Sequence, residues 1–195
     1  MNQSAHKLLA QKIAVCRLCA GQLPHEPRPV VAFHPQSRVA ILGQAPGRRV
    51  HSSGKPWDDA SGRLLRHWMG VDDKTFYNQR LFALIPMGFC YPGKGRSGDL
   101  PPRPECAPHW HPSIFAICTQ LRLILLVGDY AQRANLPEAA RRLSLTERVR
   151  SYETFLPRYF PLPHPSPRNR HWLSHNPWFY ESVLPRLKSG LAQSL

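Results

Sequence analysis

The chain has 195 residues, of which 42% are hydrophobic and 19% charged, and its formal net charge is +14 at pH 7. This length supports a substantial core, and no internal repeat or long polar linker divides it, so we expect a single domain over residues 1–195. No hydrophobic run is long enough to span a membrane, and arginine, which carries much of the charge, favours bidentate contacts with phosphate. We therefore expect nucleic acid as the partner rather than a membrane.

The N-terminal residues 1–16 lack the apolar core of a signal peptide. This absence predicts a cytoplasmic protein without disulfides. Five cysteines in a reducing compartment favour a metal or cluster site over a structural role for all of them. We also expect the protein to be a monomer.

The predicted elements alternate between helices and short apolar strands, a pattern typical of a doubly wound parallel α/β sheet. In chain order we predict a helix over 5–15 capped by Ser4, a strand over 39–42, a loop over 43–57, a helix over 60–69, a strand over 81–87, a helix over 113–121, a strand over 123–127, a helix from 129, helical spacing over 136–150, a strand over 154–162 and a helix over 177–189.

The loop after the first strand has the composition of a ligand-binding loop. Gly43 and Gly47 permit close backbone approaches, and Pro46 fixes the chain between them. Open α/β sheets bind ligands beyond the carboxyl ends of their strands. An ordinary strand-to-helix connection is the alternative for this short motif taken alone.

Three motifs in the right order resemble those of the uracil-DNA glycosylase superfamily, above all its iron–sulfur branches, families four and five. They are Gln44-Ala45-Pro46-Gly47, Gly54-Lys55-Pro56-Trp57 and His164-Pro165-Ser166-Pro167. The resemblance runs from about residue 16 to residue 167 and implies a four-stranded parallel sheet with helices on both faces. It further implies a DNA glycosylase that hydrolyses the N-glycosidic bond of uracil or another deaminated base.

Four of the cysteines form two separated pairs. Cys16 and Cys19 make a C-x-x-C, and Cys90 and Cys106 bracket a loop rich in proline and glycine. Four thiolates suit either zinc or a [4Fe–4S] cluster, and spacing does not distinguish the two. The resemblance implies a [4Fe–4S] cluster, because families four and five place its ligands in this pattern. Cys118 lies in an apolar segment and is expected to be a core residue.

Hydrolysis of an N-glycosidic bond requires stabilisation of the leaving base and a positioned water. By the resemblance, His164 donates a hydrogen bond to the base oxygen on which negative charge develops, and the backbone of Gln44 and Ala45 contacts the base. Several relatives orient the water with a polar residue where this chain has Ala45, whereas family five uses a downstream aspartate. The matching residue is Asp59, with Asp58 second, and capping the next helix is the alternative role for Asp59.

Further residues are candidates for DNA contacts by the same resemblance. Trp57 takes the place of the aromatic residue on which the base stacks, with core packing as the alternative. The loop after the His164 motif enters the minor groove in relatives, so Arg168 or Asn169 is the expected wedge and Arg170 the expected phosphate contact. A cluster would also pin the loop over 90–106 so that Lys94, Arg96 and Arg103 face phosphates.

Pro86 is the main departure from the superfamily pattern, since relatives carry there an asparagine that reads the edge of uracil. Proline has no side-chain donor or acceptor, which leaves the preferred base open. Asn78 is too distant in sequence to be assumed a substitute. The favoured function is a DNA glycosylase. A non-catalytic DNA-binding protein of the same fold is the second hypothesis, and a small-molecule nucleotide-binding protein, which would leave the positive charge unexplained, is the third.

Overall fold

A computed structural model describes residues 2–195. Its centre is a sheet of four parallel strands in the order β2-β1-β3-β4. The strands are β1 (Val39–Leu42), β2 (Phe82–Leu84), β3 (Leu123–Val127) and β4 (Tyr159–Leu162). The expected α/β fold with a four-stranded parallel sheet is therefore confirmed.

Ten α-helices connect and cover the strands within the described residues. They are α1 (Asn2–Ala14), α2 (Arg48–Ser53), α3 (Ala60–Met69), α4 (Asp73–Phe76), α5 (Cys106–Ile117), α6 (Asp129–Asn135), α7 (Glu138–Arg141), α8 (Leu145–Arg150), α9 (Arg170–His175) and α10 (Leu184–Ser194). Short 3₁₀ turns lie at Ala20–Gln22, Tyr152–Phe155 and Pro167–Asn169, and a π turn at Phe179–Val183 precedes α10.

The sheet separates two hydrophobic cores because successive side chains of a strand point to opposite faces. Val39 and Ile41 of β1 pack with α3 and α10 on one face. Ala40 and Leu42 pack with α1, α5 and α6 on the other. Both faces are thus covered, which explains why every residue of β1, β2 and β3 is buried.

Several predicted element bounds are wrong. Ser4 lies inside α1 and does not cap it. The second strand ends at Leu84 rather than at residue 87, because Pro86 has no N–H for the ladder, although the N–H groups of Ile85 and Met87 still bond to β1 and to the loop that follows it. The helix predicted over 113–121 instead begins at Cys106 and ends at Ile117, and it contains Pro112.

The C-terminal half also differs from the predicted pattern. The helical spacing over 136–150 is divided into α7 and α8, because Ser144 and Glu147 form a capping box that starts a new helix. The fourth strand is shorter than predicted, since residues 152–155 form a 3₁₀ turn. Arg48–Ser53 forms a helix inside the predicted loop. Within residues 2–195, no helix has both the length and the apolar character needed to cross a membrane.

Candidate active site

A cavity of about 460 Å³ lies beyond the carboxyl ends of the strands, where this class of sheet binds ligands. Its volume falls within the usual range of small-molecule sites. Four loops meet there, and their lining residues include Gln44–Gly47, Trp57, Asp59, Ser61, Pro86, Ser97–Leu100, His164, Ser166, Arg168 and Asn169. The structure therefore brings together residues of the three sequence motifs, of which the His164 motif lies more than 100 residues after the other two.

The loop after β1 presents unused backbone donors to this cavity. The carbonyl groups of two of its residues are bound within the protein: Gly43 accepts from the Met87 N–H at 2.8 Å, and Gln44 accepts from the Gly88 N–H at 2.9 Å. Within the described residues, the N–H groups of Gln44 and Ala45 donate to no protein acceptor. Both residues line the cavity, so these two N–H groups are available to an oxygen of a bound molecule.

Trp57 lies between the β1 loop and His164. It adopts a left-handed backbone conformation with a φ of 57°. Its ring packs so closely on Gly43 that an added Cβ there would lie 2.6 Å from Cζ2, and the ring centroid is 5.9 Å from that of His164. Gly62 is equally constrained, since its Cβ would meet the Trp57 carbonyl oxygen. Trp57 is thus a half-buried wall of the cavity that also packs against the core.

The two carboxylate oxygens of Asp59 have different surroundings. Its Oδ1 caps α3 by accepting from the Gly62 N–H at 2.8 Å, which is the alternative role considered from the sequence. Its Oδ2 points to Gly47, 4.0 Å from the position that a Cβ would take there. Capping and lining the cavity are therefore compatible. Asp58 is not among the residues that line the cavity.

His164 follows β4 and is held by backbone contacts. Its carbonyl accepts from Asn169 Nδ2 at 2.7 Å. Two residues before it, the Leu162 carbonyl accepts from the Gly128 N–H at 2.9 Å and from Nε2 of the fully buried Gln132 at 2.8 Å. The end of β4 is thereby tied to β3 and α6, which fixes the turn that carries the imidazole.

The electrostatics of the cavity keep this imidazole neutral. Burial lowers the pKa of His164, and the nearby carboxylates of Asp59 and Asp99 only partly oppose that effect. A neutral imidazole carries one N–H donor. His164 is therefore a neutral hydrogen-bond donor near pH 7, in a cavity that also contains two acidic side chains.

Asp99 is a cavity residue that the sequence reasoning missed. Its Oδ2 lies 3.4 Å from the position that a Cβ would take at Gly47, so the carboxylates of Asp59 and Asp99 approach Gly47 together. Tyr91 Oη donates to Asp99 Oδ1 at a long 3.5 Å. The residue lies in an exposed glycine-rich segment, 52 residues beyond Gly47, and no local pattern marks it.

The predicted DNA wedge residues are engaged within the protein. Arg168 Nη1 donates to the Ser97 carbonyl at 2.8 Å, which joins the turn after His164 to the loop over 93–100. Asn169 binds the His164 carbonyl, as described above. Both still line the cavity. Arg170 is exposed, but it begins α9 instead of lying in a loop as expected.

Pro86 lines the cavity in the position expected from the sequence. Its carbonyl oxygen accepts from Nε2 of the buried His111 at 3.0 Å, and burial lowers the pKa of that histidine. The ring of Pro86 therefore supplies shape but no hydrogen bond to this wall. Asn78 lies in a groove at the opposite end of the sheet and does not replace the missing asparagine.

The four predicted ligand cysteines line one small pocket away from the cavity, together with apolar side chains such as Leu18, Leu23 and Phe89. Burial, together with the neighbouring cysteines, raises the pKa of the Cys90 thiol to about 11 and that of Cys106 to about 12. Cys118 is elsewhere, with its thiol donating to the His34 carbonyl at 3.4 Å. Within residues 2–195, no group of three or more His, Cys, Asp or Glu side chains is placed to hold a metal ion.

The basic side chains of the loop over 90–106 divide into two groups. Lys94 and Arg96 are exposed, as expected for phosphate contacts. Arg103 instead pairs with Glu105 at 2.7 Å and lies beside the thiol of Cys19. The expectation that Arg103 faces phosphate stays a prediction, and the guanidinium group is engaged by a carboxylate two residues away.

Comparison with protein families identifies a family model that matches most of the chain. The family model described as the Uracil DNA glycosylase superfamily matches residues 31–188. The matched range includes the four strands, the β1 loop, Asp59 and the His164 turn. It leaves Cys16 and Cys19 outside.

Proposed function

The chain belongs to the uracil DNA glycosylase superfamily, and from this membership and the geometry of the cavity we propose that it hydrolyses the N-glycosidic bond of uracil or another deaminated base in DNA. The membership supports a glycosylase-type hydrolase that acts on DNA.

The main support for this proposal is the set of chemical groups that meet at the cavity. A neutral imidazole, two free backbone N–H groups, an aromatic wall and a carboxylate converge on a cavity of about 460 Å³. These are the groups required to accept a flipped nucleotide, to stabilise an anionic leaving base and to position a water. The formal net charge of +14 supports DNA as the partner.

In the proposed reaction the bond between C1′ of the sugar and the base nitrogen breaks, and its electron pair leaves with the base. His164 and the N–H groups of Gln44 and Ala45 donate hydrogen bonds to the base oxygens on which negative charge develops. Asp59 Oδ2 holds a water, whose oxygen bonds to C1′ and whose proton passes to the carboxylate. Trp57 supplies a face for stacking of the base, a contact worth roughly 1–3 kcal/mol.

Pro86 bears on the choice of base. An asparagine at this wall would leave polar groups unpaired when the wrong base binds, which is how large discrimination arises. A proline excludes bases by shape alone. We therefore propose a range of deaminated bases, with uracil first, rather than the strict selection of uracil.

We also propose that Cys16, Cys19, Cys90 and Cys106 hold a [4Fe–4S] cluster, with zinc as the alternative. Four thiols line one pocket with apolar walls and supply the donor atoms that either group takes, although within residues 2–195 they are not drawn together as metal ligands. Because hydrolysis needs no electron transfer, the cluster or zinc ion would have a structural role. It would join the segment after α1 to the loop over 90–106.

A non-catalytic DNA-binding protein of the same fold is the second candidate. Ala45 and Pro86 favour it, because both line the cavity at places where relatives carry polar side chains, and neither offers one. In that case the cavity would recognise an extruded base without cleaving it.

The test is base release by anaerobically purified protein from oligonucleotides that contain uracil, hypoxanthine, xanthine or no lesion, each single- and double-stranded. Abasic sites formed from one or more lesion-containing strands, and none from undamaged DNA, are expected. Binding that weakens steeply with salt, without release from any strand, would instead favour the second candidate.

A further inference from the structure

An arginine lies one or two residues before each strand of the sheet, at the end opposite the cavity. Arg38, Arg122 and Arg158 immediately precede β1, β3 and β4, and Arg80 lies two residues before β2. In the order of the strands across the sheet, the row runs Arg80, Arg38, Arg122 and Arg158. We refer to these four residues as the arginine row.

Backbone hydrogen bonds fix the row. The Arg38 N–H donates to the Leu81 carbonyl at 3.0 Å, and the Arg122 N–H donates to the Arg38 carbonyl at 2.7 Å. Arg158 is joined to the same edge, since its Nη1 donates to the Leu121 carbonyl at 3.2 Å. Neighbouring strands are about 4.8 Å apart. Extending the strand pairing by one residue aligns Arg38 with Arg122, whereas Arg80 and Arg158 each lie one residue out of register with their neighbours, so the row is staggered.

Three members of the row line an open groove of about 640 Å³. Arg80 and Arg122 are exposed and Arg38 is half-buried. The remaining lining is neutral or apolar, and none of the lining residues is a carboxylate: His34, Pro35, Gln36, Asn78, Leu81, Thr119 and Gln120. The groove therefore presents concentrated positive charge with uncharged hydrogen-bonding groups around it.

The guanidinium groups of this groove differ from several others in the protein. Arg66, Arg103, Arg133 and Arg148 each pair with a carboxylate. Across the described part of the chain, the guanidinium groups of Arg38, Arg80 and Arg122 make no hydrogen bond or ion pair. Three like charges that line one groove without a counter-charge create a positive potential that attracts an anion.

We propose that the arginine row binds the phosphodiester backbone of a second nucleic-acid segment. A nucleic-acid backbone carries repeated phosphates that can contact the three arginines of one groove, and arginine rather than lysine suits bidentate contact with phosphate. Asn78, Thr119 and Gln120 are side chains that commonly bond to phosphate and sugar oxygens. Because the cavity lies at the other end of the sheet, one protein would bridge two segments. This proposal is independent of whether the cavity cleaves DNA.

The experiment measures bridging directly. One undamaged duplex is immobilised, a fluorescent second duplex is added, and its capture by the protein is measured across a salt series. The test variant combines Arg38→Gln, Arg80→Gln and Arg122→Gln. The control combines Arg142→Gln, Arg186→Gln and Lys188→Gln, which removes the same charge from exposed positions on other surfaces.

Wild-type and control proteins are expected to capture the second duplex. The row variant should capture at least about tenfold less, and its salt slope for the second duplex should fall by about 2 to 3, near 0.9 for each lost phosphate contact. Circular dichroism establishes that both variants are folded. Capture by the row variant equal to that by the control would overturn the proposal, as would displacement of the second duplex by poly-glutamate as effectively as by DNA. Since no base release is read, this result stands apart from the test of glycosylase activity.

Discussion

Replacement of Asp59 by asparagine separates the two roles that this side chain combines. Oδ1 accepts from the Gly62 N–H and caps α3, whereas Oδ2 faces Gly47 at the cavity. An asparagine retains an oxygen for the cap and removes the negative charge. Asp59→Ala removes both, and Asp58→Asn removes a neighbouring charge that does not line the cavity.

The expected magnitudes differ for stability and for rate. Loss of an N-cap costs about 1 kcal/mol, so Asp59→Ala should lower the melting temperature by roughly 2–4 °C in a domain of this size. Asp59→Asn should change it by much less. Both variants lose the base that accepts the proton of water, and each should release base roughly 10²- to 10⁴-fold more slowly. Asp58→Asn should match wild type in rate.

The assay is single-turnover base release with the best lesion-containing strand, together with thermal unfolding of each variant. Single-turnover conditions report the chemical step without product release. If Asp59→Asn released base at the wild-type rate while Asp59→Ala was merely less stable, the carboxylate would be a helix cap only. The proposed role in holding water would then be refuted.

Three further outcomes are expected. Cys106→Ser should lose most of the iron and visible absorbance of anaerobic protein, whereas Cys118→Ser, whose thiol lies elsewhere, should retain about four iron atoms per chain; full iron content in both would remove Cys106 from the ligands. Gln132→Leu should lower the unfolding free energy by about 1–3 kcal/mol and also slow base release, because it removes a bond to the end of β4 before His164; unchanged melting would contradict this. Burial lowers the pKa of His164 and of His111 in the folded protein. Below about pH 6.5 the unfolded chain therefore binds protons that the folded chain does not bind. The denaturant concentration at the unfolding midpoint should decrease as the pH falls from about 7 to about 5, and an increase would contradict this.

The elements predicted most accurately have strong local signals. β1 and β3 match their predicted ranges because both are continuous apolar runs, and buried parallel strands require such runs. The bounds of α3 also match, since Asp59 caps its start and Gly70 adopts a left-handed conformation at its end. Local chemistry was sufficient in each case.

The residues that were missed depend on contacts between distant parts of the chain. Asp99 reaches the cavity from an exposed loop whose sequence carries no periodic pattern. The bond between Arg168 and the Ser97 carbonyl spans 71 residues, so no local motif predicts it. The arginine row can be recognised only when the strand order is known. Its members are far apart in the sequence, and the sheet places them in the order Arg80, Arg38, Arg122 and Arg158. The sequence motifs predicted part of the cavity lining, and the remaining lining residues are brought there by tertiary contacts.

The central claim is that the cavity cleaves an N-glycosidic bond with His164 as the donor to the leaving base. The most direct measurement is single-turnover base release by His164→Ala beside His67→Ala, which removes an exposed imidazole of α3 that does not line the cavity. We predict a rate roughly 10²- to 10³-fold lower for His164→Ala and no change for His67→Ala. Equal rates of release by the two variants would contradict the account.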